Sequence, residues 1–163
     1  MARDWIDQGL RQMRERDEQR RLASTRRLQK TAIIKEKGPD LMRQLVEEAA
    51  AAVNEYQQKA QADSIEVEFE MLPEEGFCVT RSAAPKVTLE CRPGYETHAV
   101  YCNVTRMDDP ESEPQEIIFS LEITVDDSDR IALRHETTTF PNIGEVAEFL
   151  LKPVLFPTVD SNR

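Results

Sequence analysis

Glycine is scarce in this chain, five residues in 163. None stands at the spacing of a phosphate-cradling loop, which excludes nucleotide binding through a glycine-rich turn. Cysteine is scarcer still. Cys78, Cys91 and Cys102 are odd in number, fall within apparent strands and lack the close CxxC pairs of a zinc or redox motif. The expectation is buried thiols in a reducing compartment. No apolar run approaches the roughly 18 residues that a membrane helix needs. The opening residues mix Arg3, Asp4, Asp7 and Arg11 where a secretory signal would be uninterruptedly apolar. The chain therefore reads as a cytoplasmic protein with no membrane partner.

What is present is charge, unevenly shared. Charged residues make up 32% and hydrophobic ones 39%, so the apolar residues must be concentrated if a core is to form. The formal net charge of −10 hides a division along the chain. Residues 1–37 hold 11 Lys or Arg against 6 Asp or Glu, whereas residues 63–163 hold 8 against 21. An acidic globule carries a basic, mostly polar arm, and each can attract the other.

The stretch Asp4–Lys37 is rich in Arg, Gln, Glu and Leu and has high helix propensity. Its apolar pattern is broken. Ile6, Leu10 and Met13 form a short stripe, but the same heptad register then meets Asp17, Arg20, Ser24 and Arg27 before regaining Ile34, so a continuous coiled coil is not expected. Gly38-Pro39 reads as a break between two helices. From there to Ala62, Leu41, Leu45, Ala49, Ala52, Val53, Tyr56 and Ala60 recur at helical spacing and suit packing onto a sheet.

Beyond Asp63 the period changes to two, as Ile65, Val67, Phe69 and Met71 alternate with Glu66, Glu68 and Glu70. Five further strands are predicted at Phe77–Arg81, Lys86–Arg92, Ala99–Arg106, Glu116–Val125 and Arg130–Thr138, making an antiparallel meander with one covered and one wet face. A four-residue turn at Pro93–Glu96 would set Val87 opposite Cys102, Leu89 opposite Val100 and Cys91 opposite His98. A three- or five-residue turn within Asp126–Arg130 puts Leu121, Ile123 and Val125 on the same face as Ile131, Leu133 and His135. Both histidines then point coreward. Asn142 is placed to cap a last helix through Ile143, Val146, Ala147, Leu150 and Leu151, which Pro153 ends or kinks. An apolar hook, Val154–Phe156, precedes a loose tail.

Three leads bear on chemistry. Cys91 beside His98, with His135 on the same face, is the one nucleophile-and-base arrangement the register suggests, and the same three residues are donors a metal prefers. Their spacing matches no compact metal motif, so no metal and no cofactor is predicted. The acidic loops 108–113 and 126–129 lack the Gly and Glu of a calcium-binding EF-hand loop and read as solvated turns. Arg11, Arg14, Arg16, Arg20, Arg21, Arg26, Arg27 and Lys30 could meet phosphates. Glu15, Asp17 and Glu18 interrupt that run, and the acidic body opposes a nucleic-acid partner.

The sequence thus predicts an α+β fold with two N-terminal helices, a curved antiparallel sheet of five to six strands and one C-terminal helix. Residues 1–37 form a protruding basic helical arm, 38–157 a single α+β domain and 158–163 a loose tail. The leading functional expectation is a non-enzymatic protein-interaction module that self-associates through its N-terminal helix, using Trp5, Ile6, Leu10, Met13, Arg20 and Arg21, with a homo-oligomer or another protein as partner. The alternative is a small-ligand-binding or enzymatic protein with a pocket between sheet and helices near Cys91, His98 and His135.

Overall fold

Arg, Gln, Glu, Leu and Ala dominate the first sixty residues, and such side chains lose little freedom in a helix. In the computed structural model, which describes residues 3–60 and 66–158, they form one uninterrupted helix. This helix, α1, spans Asp4–Lys59. The expected break at Gly38-Pro39 does not occur. Pro39 removes only the donor that would meet the Lys35 carbonyl, and Lys35 is exposed, so water can take that acceptor. Gly38 serves a packing purpose instead: a Cβ there would lie 2.8 Å from Cδ1 of Tyr95, so the missing side chain is a dent that seats the Tyr95 ring. The second half of α1 buries Ile34, Met42, Leu45, Ala49 and Val53; Leu45, Ala49 and Val53 belong to the stripe read from the sequence, Met42 lies outside it, and Leu41, Ala52 and Tyr56 are half-buried.

Seven antiparallel strands follow in a meander, β1 (Val67–Met71), β2 (Phe77–Arg81), β3 (Lys86–Gly94), β4 (Ala99–Met107), β5 (Gln115–Val125), β6 (Ile131–His135) and β7 (Thr138–Thr139), paired in chain order. The expected count was five to six. The extra strand arises because Glu136 turns left-handed at φ 54°, so the run read as one strand to Thr138 folds back and β7 pairs with Arg134 and His135. Ile65, the expected start of the first strand, the end of the second predicted helix at Ala62, and residues 159–163 of the predicted tail lie outside the described residues.

The final helix α2 covers Ile143–Leu155. Asn142 caps it as expected, its Oδ1 accepting the Glu145 N–H at 2.9 Å. Pro153 does not end it, and the last turn carries Val154 and Leu155 into the core. The second half of α1 and α2 touch each other and lie on one face of the sheet, α1 against β1, β5 and β6 and α2 against β2 and β3. That face presents Phe77, Val79, Val87, Leu89, Cys91, Val100, Cys102, Leu121, Ile123 and Leu133, all buried.

Candidate functional site

The first half of α1 is largely exposed. Leu10–Thr25 are exposed without exception, and the first residue of the helix that hydrogen-bonds to the sheet is Arg26. Its guanidinium pairs with Asp129 at 2.9 Å and donates to the Asp126 carbonyl at 2.8 Å, while Lys37 Nζ reaches the Asp129 carbonyl at 3.2 Å. The turn they grip is built by Asp126, whose Oδ1 accepts the N–H groups of Ser128 and Arg130. The attraction between basic helix and acidic body is thus realised within one chain, at the β5–β6 turn.

Of the residues singled out for interaction, Trp5 is 73% exposed and Met13 60%, Leu10 is exposed and Ile6 half-buried. Leu22 and Leu28 add two further exposed apolar side chains; Leu28, read from the sequence as an apolar residue at the far end of the arm, is five full helical turns from Leu10 and so shares its face, whereas Leu22 stands off it. Arg21 is tied to Glu18 at 2.5 Å on the same helix, which holds the Glu18 carboxyl below its ordinary range, the hydrogen bond from Arg21 first and its charge second. Arg20 is exposed.

No family model, curated protein or solved structure matches this chain. What it can do must be read from its own side chains.

The Cys–His arrangement is not assembled as the expected register would have it. Cys91 faces Cys102, Leu89 faces Val104 and Val87 faces Arg106. The strands continue through Pro93 and Gly94 to pair with Val100 and Ala99, and the reversal is made by a 3-10 turn, Tyr95–Thr97, with His98 left-handed at φ 53°. Gly94 permits this, since a Cβ there would lie 2.5 Å from Cε2 of Tyr101. The shift is four residues, an even number, so every side chain keeps its predicted face while every partner changes. His98 therefore sits in the turn, half-buried, its carbonyl accepting the Ile123 N–H at 2.8 Å. His135 does reach the covered face, where it packs on Phe119 and Phe149 at ring distances of 5.5 and 4.8 Å.

The Cys91 and Cys102 sulfurs lie 3.7 Å apart, both buried and unbridged. The Cys91 thiol is pushed far above its ordinary range by its hydrogen bond to Cys102 and by burial, and burial also raises Cys78. Neither is poised as a thiolate. A thiol titration of the folded chain at neutral pH is therefore expected to show no fast phase, all three cysteines reacting only on unfolding. A single rapid equivalent under native conditions would contradict the burial of all three thiols. Among the described residues no group of three or more His, Cys, Asp or Glu is placed to hold a metal ion. The acidic turns spend oxygens on their own backbone: Asp109 Oδ1 accepts the N–H groups of Glu111 and Ser112, and hydrogen bonds from Ser112 and Glu111 hold its carboxyl below the ordinary range.

Two cavities flank the end of α2. One, of about 580 Å³, is lined by Phe140, Phe149, Phe156, Lys152 and Arg106 among others. The other, of about 700 Å³, lies between the last turns of α1 and α2 and contains Arg81. Arg81 was noted in the sequence only as the end of a strand. The period-two rule already placed it on the covered face with Phe77 and Val79, and that parity was the signal that could have found it.

Proposed function

We propose that this chain is a non-enzymatic interaction module that self-associates through the N-terminal part of α1. The observation that carries the reading is the exposure of Trp5, Leu10 and Met13 near the start of a helix whose residues 10–25 are all exposed. Apolar side chains grouped in this way gain by leaving water, and a second copy supplies an acidic body for Arg20 and its neighbours. The contact is local. Arg14, Glu15, Arg16, Asp17 and Glu18 follow the apolar tip, so a long helical zipper is not what joins the copies.

The reading predicts a particle of twice the 18.7 kDa chain mass by light scattering at micromolar concentration. Replacing Trp5, Leu10 and Met13 together by Ser is expected to return a monomer with unchanged circular dichroism, because all three are exposed. Raising the salt is expected to weaken the dimer, since exposed charges across the contact are screened. A wild-type chain that stays monomeric, or a triple variant that stays dimeric, overturns the proposal. The pocket reading around Cys91, His98 and His135 is less well supported, because Cys91 is fully enclosed and opposite another thiol.

A further inference from the structure

Arg81 is a cation in a place built for hydrocarbon. It closes β2 on the covered face, only 8% exposed, the one charged residue among the buried described residues. Its Nη1 donates to the Tyr56 hydroxyl and to the Leu155 carbonyl, both at 3.4 Å, the long limit of a hydrogen bond. Its Nε is enclosed and donates to nothing, and no carboxylate among the described residues pairs with it. A guanidinium cannot shed its proton to escape burial, and an enclosed charge without a counter-charge is costly. The carbonyl end of α2 offsets part of that cost. An anion would offset the rest.

Space for one adjoins it. The 700 Å³ cavity is lined by Ala52, Tyr56, Leu155, Phe156 and Pro157, an apolar wall of the size that small ligands fill. The other two charges among its described lining residues, Lys59 and Glu55, neutralise each other at 2.7 Å. Among the described residues, Arg81 is left as the net charge of the site. We propose that this cavity binds a small monocarboxylate with an apolar body, its carboxylate on the Arg81 guanidinium and its hydrocarbon against Ala52, Tyr56, Leu155 and Phe156. A single negative charge matches the site. A phosphate dianion would bring a second one towards Glu55.

The test uses the full chain and octanoate, titrated by calorimetry beside octanamide, which has the same chain length and no charge. Octanoate is expected to bind at least roughly tenfold more tightly than octanamide, the share of a charge-assisted hydrogen bond. Arg81→Met is expected to remove that difference. It deletes a buried charge that has no anionic partner, so its melting temperature should equal or exceed that of the wild type. Ala52→Trp, made from a half-buried helix position, fills the cavity while leaving Arg81 in place, and is expected to abolish octanoate binding. No binding of octanoate by the wild type at millimolar concentration, equal affinity for the two probes, or undiminished binding by either variant overturns the proposal.

Discussion

Phe77→Ala is expected to lower the unfolding free energy by about 3–5 kcal/mol, the cost typical of deleting an aromatic ring from a closed core. Phe77 is fully buried at the start of β2, stacked on Phe69 at 5.7 Å and paired across the sheet with Cys91. Val79, Leu89 and Cys91 beside it are themselves enclosed, and β2 is held in register by β1 on one side and β3 on the other, so the space left does not readily close. A loss of this size is a large part of the roughly 5–15 kcal/mol that holds a domain together. Urea titration should show the midpoint falling with an unchanged slope. Phe77→Leu, which keeps most of the volume, should cost less than about 1.5 kcal/mol. Equal losses for the two variants would mean that packing volume is not what Phe77 contributes.

The second large effect is at Gly38. Gly38→Leu is expected to destabilise by about 1–3 kcal/mol, although leucine is the better helix former by nearly 1 kcal/mol. The Tyr95 ring occupies the place of the new side chain, and it is joined to the sheet through a hydrogen bond from its hydroxyl to the Glu75 carboxylate. Burial first and that hydrogen bond second push the Tyr95 phenol well above its ordinary range. The neutral form is therefore the one the fold favours. The stability it adds is complete below the ordinary tyrosine value of about 10 and is lost as the pH rises through the higher folded value. Displacing the ring in Gly38→Leu should bring the titration of the Tyr95 phenol, followed by ultraviolet absorbance, back towards about pH 10. Gly9→Ala is the control, since a Cβ there meets nothing within 4 Å. A Gly38→Leu variant as stable as Gly9→Ala, with the phenol still titrating late, would refute the dent.

The parts of the fold that follow from periodicity were legible in the residues. The stripe Leu45, Ala49 and Val53, the alternation along β3 to β6 and the Asn142 cap all stand where spacing put them. For β5 and β6 the face was legible and the register was not: a three- or a five-residue loop in Asp126–Arg130 keeps Val125 and Ile131 on one side, and the structure takes five, with Val125 facing Ile131. What misled were residues whose usual local meaning was overridden by packing. Gly38-Pro39 reads as punctuation, yet a ring from another segment fills the gap at Gly38 and water can serve the carbonyl that Pro39 frees. Pro93-Gly94 reads as a turn, yet Gly94 is needed flat beneath Tyr101 and the reversal falls on Tyr95–His98, where nothing but a left-handed histidine marks it. His135-Glu136-Thr137 contains no turn residue at all, so β7 left no trace.

The candidate sites divide in the same way. Exposure of Trp5 and Met13 could be inferred from the absence of a continuing stripe. The solitude of Arg81 could not, because which helix ends meet above β2 depends on how α1 and α2 lie, and a single chain's residue order does not state that.

A helix of some twenty residues standing alone in water is marginal, because its first turn must be closed at a loss before later turns repay it. The exposed half of α1 never meets that barrier. Its nucleus is permanent, the turns from Ile34 to Val53 being held by the sheet, and each residue towards Trp5 is added to a helix already begun. The tip can therefore fray and re-form one turn at a time without the shaft melting, and a side chain near it stays about 30 Å from the Arg26 latch at a rise of about 1.5 Å per residue.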